Sequence, residues 1–155
     1  MKDIKERIRE RLEGNSFMNH NFMVLDFLEP DHAIFKLEIR EESRNTFGMV
    51  HGGALYSLAD NATGSAAHTD GRHYVTQNGS LNFLRNQPEG TIYADARVRH
   101  RGGTTCLIDV NITGEGGTLL ATGSFTYFCI NRGRIEEKAG KLRKKAPYRL
   151  IRCFF

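Results

Sequence analysis

The sequence predicts an α+β fold in which one long helix packs against an antiparallel β-sheet. One run of small and apolar residues, 52–68, is long enough for a buried helix. Six shorter runs are apolar or alternate between apolar and polar residues, as strands do. The separators between the strands are rich in residues that favour turns, such as Pro, Gly and Asp. A chain of 155 residues suits a single domain with one core.

A short helix is predicted at the start of the chain. Ile4, Ile8 and Leu12 recur every four residues among charged side chains, which gives a narrow apolar stripe on a surface helix. Gly14 is a suitable residue to end that helix.

The strands and the long helix follow in order along the chain. Pro30 and Asp31 form a turn pair between the first two strands. A loop at 43–50 leads into the long helix, which runs from about Gly52 to His68. The predicted strands occupy residues 22–29, 32–41, 74–84, 91–101, 105–113 and 118–130.

Charge separates a predicted domain, residues 1–131, from a basic C-terminal tail, residues 132–155. The tail contains nine Lys or Arg residues and two Glu residues, in a chain whose formal net charge is +4. Such a tail is usually solvated, so we expect no nucleic-acid partner.

Several classes of protein are disfavoured. Cys106, Cys129 and Cys153 have no CxxC spacing, which argues against a zinc site and a disulfide framework. There is no P-loop, dinucleotide-binding glycine motif or metal-ligand cluster, so we expect no cofactor and no metal. The sequence has no secretory signal and no run of about 18 apolar residues, so we expect a cytoplasmic protein without stable membrane insertion.

Asp60 interrupts the apolar surface of the long helix. Alanine and leucine dominate around it, at positions 54, 55, 58, 59, 62, 66 and 67, so a sheet can approach closely. Burying a carboxylate there without a partner would cost several kcal/mol. Asp60 therefore either makes a local cap or salt bridge, or carries chemistry.

The start of the same helix offers hydrogen-bond donors. Gly52 and Gly53 are expected to leave the N-terminal N–H groups uncovered, and bare amides at a helix N-terminus can form an oxyanion hole. Asn45, in the preceding loop, adds an amide that can orient a water or a carbonyl group. Amide donors, a carboxylate and a side-chain amide together suffice to hydrolyse an acyl group.

The spacing of these groups predicts a site shared between two copies of the chain. Gly53 and Asp60 are seven residues apart, so they share a helix face but lie about 10 Å apart along the axis. One carbonyl group can hardly touch both within one chain. Two antiparallel helices across a two-fold axis would bring the glycine end of one to the aspartate of the other, giving two composite sites.

The run NTFGMVHGGALYSLADNA resembles the signature of the hotdog-fold thioesterases, in particular the PaaI-like group that hydrolyses acyl-coenzyme A. The later runs SLNFLRNQPEGTIYADARVRHRGGTTCLIDVNI and LLATGSFTYF are similar to the strands of that family. The resemblance covers roughly residues 17–130. It implies a hotdog fold, with a long central helix wrapped by an antiparallel sheet, and assembly as a homodimer or as a homotetramer built from two dimers.

The resemblance also implies roles for individual residues. Asp60 would act as nucleophile or general base on the thioester. The Gly53 N–H would polarise the thioester carbonyl group, and Gly52 would let the backbone come close. Asn45 would help to hold the water or the carbonyl group.

His51 and Thr76 are two further candidates from the same resemblance. His51 would lie beside the thioester, either in direct contact with it or ordering the loop. Thr76 falls near the position where family members often carry a Ser or Thr that helps to place the attacking water.

Cationic and flexible residues near two strand ends are candidates for binding the phosphates of coenzyme A. In the family, the region of Arg99, Arg101 and Gly102 lies near these phosphates, and mobile cations would suit that role. Arg85 is a second candidate. The alternative interpretation of residues 99–105 is a solvated hairpin tip.

Together these features predict an acyl-CoA thioesterase that releases a free acid and coenzyme A. Two alternatives stay open. A non-catalytic acyl-CoA binding or sensing protein would keep the pocket without needing the carboxylate. A hotdog dehydratase or hydratase would use His51 and Asp60 as a pair.

Overall fold

A computed structural model describes residues 3–130. Within them the chain forms three α-helices, two 3₁₀ turns and six β-strands. The helices are α1 (Ile4–Glu13), α2 (Ser16–His20) and α3 (Gly52–Ala67), and the 3₁₀ turns are Glu41–Ser43 and His68–Asp70. The strands are β1 (Met23–Glu29), β2 (His32–Glu38), β3 (Tyr74–Phe83), β4 (Thr91–Arg101), β5 (Thr105–Gly114) and β6 (Leu119–Cys129).

The six strands form one antiparallel sheet in the order β1-β2-β4-β5-β6-β3. The α+β prediction is therefore confirmed. Strands β1 and β2 are joined by the predicted turn, where Asp31 adopts a positive φ of 62°, a conformation that Asp tolerates better than most residues. Strands β1 and β3 are the two edges, so β3 has a neighbour on one side only.

Helix α3 lies across one face of the sheet and supplies the centre of the core. Its alanines at 59, 62, 66 and 67 are fully buried, and their small side chains let the helix approach the strands closely. Alternate residues of the strands point at the helix, as the period of two requires. These fully buried strand residues include Ala33, Phe35, Ile92, Ala94, Ala96, Cys106, Ile108, Ile112, Ala121 and Phe125.

Two local features differ from the prediction. Helix α2 was not predicted because its five residues are too few to show a helical period; the Asn15 side chain caps it by accepting from the Met18 N–H at 3.1 Å. Strand β2 ends at Glu38, not at residue 41, because Arg40 and Ser43 close a 3₁₀ turn: the Arg40 N–H donates to Ser43 Oγ at 2.9 Å.

The basic tail and Cys153 lie outside the described residues. No helix within residues 3–130 is long and apolar enough to cross a membrane. The same part of the chain contains no group of three or more His, Cys, Asp or Glu side chains placed to hold a metal ion.

Candidate active site

The N-terminus of α3 is capped by the residue that precedes it. His51 Nδ1 accepts a hydrogen bond from the Gly53 N–H at 2.8 Å, and the His51 carbonyl oxygen accepts from the N–H groups of residues 54 and 55. The expectation that the Gly53 amide is uncovered is therefore corrected, because the imidazole occupies the position that an incoming oxygen would need. His51 and Gly53 are both exposed, so the ring has solvent beside it into which it can turn.

Asn45 shapes the loop before the helix. Its Oδ1 accepts from the Phe47 N–H at 2.9 Å and from the Met49 N–H at 3.1 Å, and a β-bridge between Arg44 and Val50 closes the loop. An asparagine that bonds to the backbone of the following residues is a common turn-forming element. The Oδ1 atom is thus committed to the loop, and the Nδ2 amide is the part of Asn45 left to meet a ligand.

Asp60 lies half-buried on α3, and two hydroxyl groups hold one of its carboxylate oxygens. Thr76 Oγ1 donates to Asp60 Oδ1 at 2.9 Å, and the Tyr127 hydroxyl donates to the same oxygen at 2.8 Å. Thr76 and Tyr127 are direct neighbours on the paired strands β3 and β6. Within residues 3–130, no hydrogen bond or ion pair reaches Asp60 Oδ2.

Tyr127 was missed by sequence reasoning. Its side chain is 2% exposed, and burial, followed by the nearby Asp60 charge, raises the pKa of Tyr127 well above its usual value, so the phenol keeps its proton. The signal in the sequence was a tyrosine at an inward position of β6, two residues after the buried Phe125. A buried tyrosine hydroxyl needs a hydrogen-bond partner.

A groove of about 400 Å³ opens beside Asp60, between α1 and β3. One wall is formed by Ile8 and Leu12 of α1, and Thr76 and Tyr127 reach it from the sheet. The groove is also lined by Arg11, Asn15, Asn61, Gly64, Ser65, His68, Tyr74 and Val75. The apolar stripe of α1, predicted as a surface feature, therefore helps to build this groove.

The two halves of the predicted site stay apart within one chain. Gly53 and Asp60 lie on the same helix, with an axial separation of about 10 Å. Thr76, in contrast, lies in the same half of the site as Asp60, since the two side chains are in direct contact.

Arg101 has a different environment from the one expected. Its guanidinium donates to Asp31 Oδ1 at 2.6 Å, to the Tyr74 hydroxyl at 3.0 Å and to the carbonyl oxygens of Ala66 and Ala67 at 3.2 and 2.8 Å. Only 16% of the side chain is exposed. Arg101 is therefore not a mobile side chain on a hairpin tip; it joins the C-terminal end of α3 to neighbouring turns.

The other predicted phosphate-binding residues are on the surface. Arg99 is 73% exposed and forms an ion pair with Asp109 at 2.9 Å, of the kind that contributes little to stability. Arg85 is exposed at the end of β3. The Gly102 N–H closes the β4–β5 hairpin by donating to the Thr105 carbonyl oxygen at 2.8 Å.

The chain is similar to several thioesterases. The model of the thioesterase superfamily matches residues 47–121. Acyl-coenzyme A thioesterase PaaI of Escherichia coli is 32% identical over 94 residues, which are 59% of this chain and 67% of that one. The 1,4-dihydroxy-2-naphthoyl-CoA hydrolase of Listeria monocytogenes is 30% identical over 114 residues, which are 72% of this chain and 86% of that one.

Solved structures show the same likeness. The structure of E. coli PaaI superposes with a TM-score of 0.80 at 24% identity, covering 83% of this chain and 94% of that one. A hypothetical thioesterase from Streptococcus pneumoniae, solved with coenzyme A, superposes with a TM-score of 0.67 at 27% identity, covering 70% and 89%. Two further structures of such a protein from that organism have alanine in place of an aspartate and of a threonine 16 positions apart. From these matches, this chain belongs to the thioesterase superfamily and has the hotdog fold of the PaaI-like acyl-CoA thioesterases.

Proposed function

We propose that the protein hydrolyses acyl-CoA thioesters to a free acid and coenzyme A, with Asp60 as the reactive group. The observation that carries the proposal is the Asp60 carboxylate, held through one oxygen and open at the other, beside a groove. Asp60 and Thr76 are also 16 positions apart, as are the aspartate and threonine replaced in the S. pneumoniae protein.

The chemistry follows from the groups present. The free oxygen of Asp60 either attacks the thioester carbonyl carbon or takes a proton from a water that attacks it. If Asp60 attacks, its oxygen forms the new C–O bond as the C–S bond breaks, and water then hydrolyses the resulting acyl anhydride to release the acid and restore Asp60. If Asp60 activates water, the water oxygen forms the C–O bond and the acid is released directly. In both routes coenzyme A leaves as a thiolate that picks up a proton from solvent. A thiolate leaves readily without a strong general acid, which suits a site that offers amides and one carboxylate.

The carbonyl oxygen of the thioester binds at the N-terminus of α3. There the Gly53 N–H and the helix dipole stabilise the negative charge that develops on that oxygen. Because His51 Nδ1 holds this N–H, substrate binding requires the imidazole to turn away. The Nδ2 group of Asn45, from the adjoining loop, orients the carbonyl or the water.

A second copy of the chain completes each site, since Gly53 and Asp60 are too far apart on one helix. Strand β3 is an edge of the sheet, and it exposes Val75 and Phe83, with Leu84 directly after it. An exposed apolar edge strand is a surface that natural proteins usually cover. We therefore propose a homodimer in which each aspartate faces the glycine end of the partner helix.

The acyl group occupies the groove between α1 and β3, and the coenzyme A phosphates meet Arg85 and Arg99 at the surface. The groove is mainly apolar near α1, with Ile8 and Leu12 as its wall. A panel of aliphatic and aromatic acyl-CoA substrates, scored by thiol release, tests the activity. Release of thiol from none of them by the wild-type chain would overturn the proposed function.

Mixing two inactive variants tests the shared site. Asp60→Asn and Asn45→Ala subunits, refolded together, should recover up to about a quarter of the wild-type activity under random assortment, because one site of a mixed dimer collects both defects and the other neither. Each variant alone should stay nearly inactive. Absence of recovery, with mixed dimers shown by mass spectrometry, would place Asn45 and Asp60 in one site from one chain.

A further inference from the structure

The Tyr127 hydroxyl lies at the centre of a small buried network. It is 2.8 Å from Asp60 Oδ1, 2.8 Å from the Asp60 carbonyl oxygen and 2.9 Å from Thr63 Oγ1. Thr63 is fully buried, and its hydroxyl donates back to the Ala59 carbonyl oxygen at 2.8 Å. The phenol therefore connects strand β6 to one turn of α3, the turn that carries Asp60.

The single phenol proton has a preferred acceptor. Hydrogen bonds to an ionised group are roughly twice as strong as bonds between neutral groups. The carboxylate Oδ1 therefore takes the larger share of the proton, and the Asp60 carbonyl oxygen takes the smaller share. The Thr63 hydroxyl is able to donate to the phenol oxygen, which leaves the phenol proton for Asp60.

Tyr127 and Thr76 approach the same carboxylate oxygen from adjacent positions on two strands. Two donors on one carboxylate oxygen restrict the rotation of the group and leave the second oxygen for another partner. Because both donors are on strands of the sheet, which are rigid, they hold the reacting carboxylate in a precise position. Tyr127 is the better fixed of the two donors, since Thr76 lies on the exposed edge strand β3.

We propose that Tyr127 is a positioning residue for Asp60, holding Oδ1 so that Oδ2 is the oxygen that attacks the thioester or activates water. This inference rests on the proposed function. Tyr127 takes no part in the bonds that form and break; it acts by orienting the carboxylate. Thr63 supports the phenol from the helix side.

The main test is Tyr127→Phe, with kcat and KM measured separately by thiol release. We expect kcat/KM at neutral pH to fall about tenfold, mostly through kcat. The change falls on kcat because the lost hydrogen bond orients the carboxylate and does not hold the substrate. The other charged or titratable groups lining the groove, Arg11, His68 and Tyr74, are unchanged in this variant.

Tyr56→Phe is the matched control. The Tyr56 hydroxyl also joins α3 to β3, by donating to the Gly79 carbonyl oxygen at 3.2 Å, but it does not contact Asp60. This variant should keep the wild-type kcat. A Tyr127→Phe variant that folds and has kcat within twofold of the wild type would overturn the proposal.

A second measurement uses the unmodified chain, in case Tyr127→Phe folds poorly. With ¹³C-labelled tyrosine, the Cζ resonance of Tyr127 should differ between the wild type and Asp60→Asn, because the phenol donates to a carboxylate in the first and to an amide in the second. A Cζ resonance that is the same in both would contradict the proposal.

Two results separate the role of Tyr127 from the proposed function. Near-normal turnover in Asp60→Asn would remove the reactive role of Asp60, and with it the proposed mechanism. An inactive Asp60→Asn together with a near-normal kcat in Tyr127→Phe would leave the hydrolase function in place and remove only the role of Tyr127.

Discussion

The two ends of α3 differ in how completely their polar groups are paired. At the C-terminal end, Arg101 binds two helix carbonyl oxygens, Asp31 and the Tyr74 hydroxyl, and it is also 3.0 Å from Asp70. At the N-terminal end, a single exposed imidazole holds the Gly53 N–H. The first arrangement ties several segments together, whereas the second can be opened by moving one side chain.

Asp60 lies between these ends and combines both properties. One carboxylate oxygen is held by two hydroxyl groups, and the other has no partner among residues 3–130. The difference between the ends indicates where stability and reactivity are located along one helix. The groups at the C-terminal end are held by several partners each, whereas Asp60 keeps one free oxygen and the Gly53 N–H is held by one movable side chain.

Asp60→Asn should have the largest effect, and it should separate activity from stability. We expect turnover to fall at least about a hundredfold, as for removal of a positioned base, because an amide is neither basic nor nucleophilic. The hydroxyl groups of Thr76 and Tyr127 can still donate to the amide oxygen, so the melting temperature should stay close to that of the wild type. Loss of activity together with a large drop in melting temperature would instead assign Asp60 a structural role.

Arg101→Ala should have the opposite signature. The variant removes the bonds of Arg101 to Asp31, to the Tyr74 hydroxyl and to the helix carbonyl oxygens, whereas Asp70 keeps its bonds to Arg72 and Tyr74. We expect a loss of about 2 kcal/mol, within the range for hydrogen bonds to a charged group. Urea unfolding measures the loss. Arg97→Ala is the control, because Arg97 is 64% exposed and pairs with Asp95 at 3.3 Å; its loss should be under about 0.5 kcal/mol. Equal effects of the two changes would contradict the difference between the ends.

The fold was predictable because its signals are local. The strands show their alternation over a few residues, and the long helix shows its small-residue surface within one run. Asp60 was found for the same reason, as a charge on an apolar helix. Helix α2 and the end of β2 depend on capping bonds of single side chains, which periodicity does not report.

The contacts of the site were harder to predict because they join distant parts of the chain. The bond between Tyr127 and Asp60 depends on the register of β3 and β6, which places Tyr127 opposite Thr76. Arg101 reaches Asp31 across 70 positions of sequence. A basic residue beside glycines suggests a mobile tip, and only the packing of the turns shows that Arg101 is buried.

His68 makes the C-terminal end of α3 sensitive to pH. Its Nδ1–H donates to the Gly64 carbonyl oxygen at 2.6 Å, and Nε2 accepts from the Tyr74 N–H at 3.2 Å. Burial lowers the pKa of His68, with smaller lowering by Arg11 and His73 and some opposition from the Gly64 bond and Asp70.

The unfolded chain therefore takes up the His68 proton first as the pH falls. The stability that this residue contributes is complete above about pH 6.5 and declines below it, by up to about 1.4 kcal/mol per pH unit, until the folded state is protonated too. Urea unfolding between pH 7 and pH 5 should show a shallower decline in His68→Asn than in the wild type. An equal decline in both would assign the pH dependence to other groups.

His51→Ala should lower stability by less than Arg101→Ala does. Loss of an N-cap side chain costs about 1 kcal/mol, and His51→Asn, which keeps a capping oxygen, should recover most of it. If the imidazole serves only as a cap that turns away when substrate binds, both variants should retain kcat/KM within about tenfold of the wild type, far from the loss in Asp60→Asn. A hundredfold loss in both variants, with stability recovered in His51→Asn, would show that the imidazole itself contacts the thioester. The N-terminal end of α3 would then hold its substrate with a side chain as well as with main-chain amides.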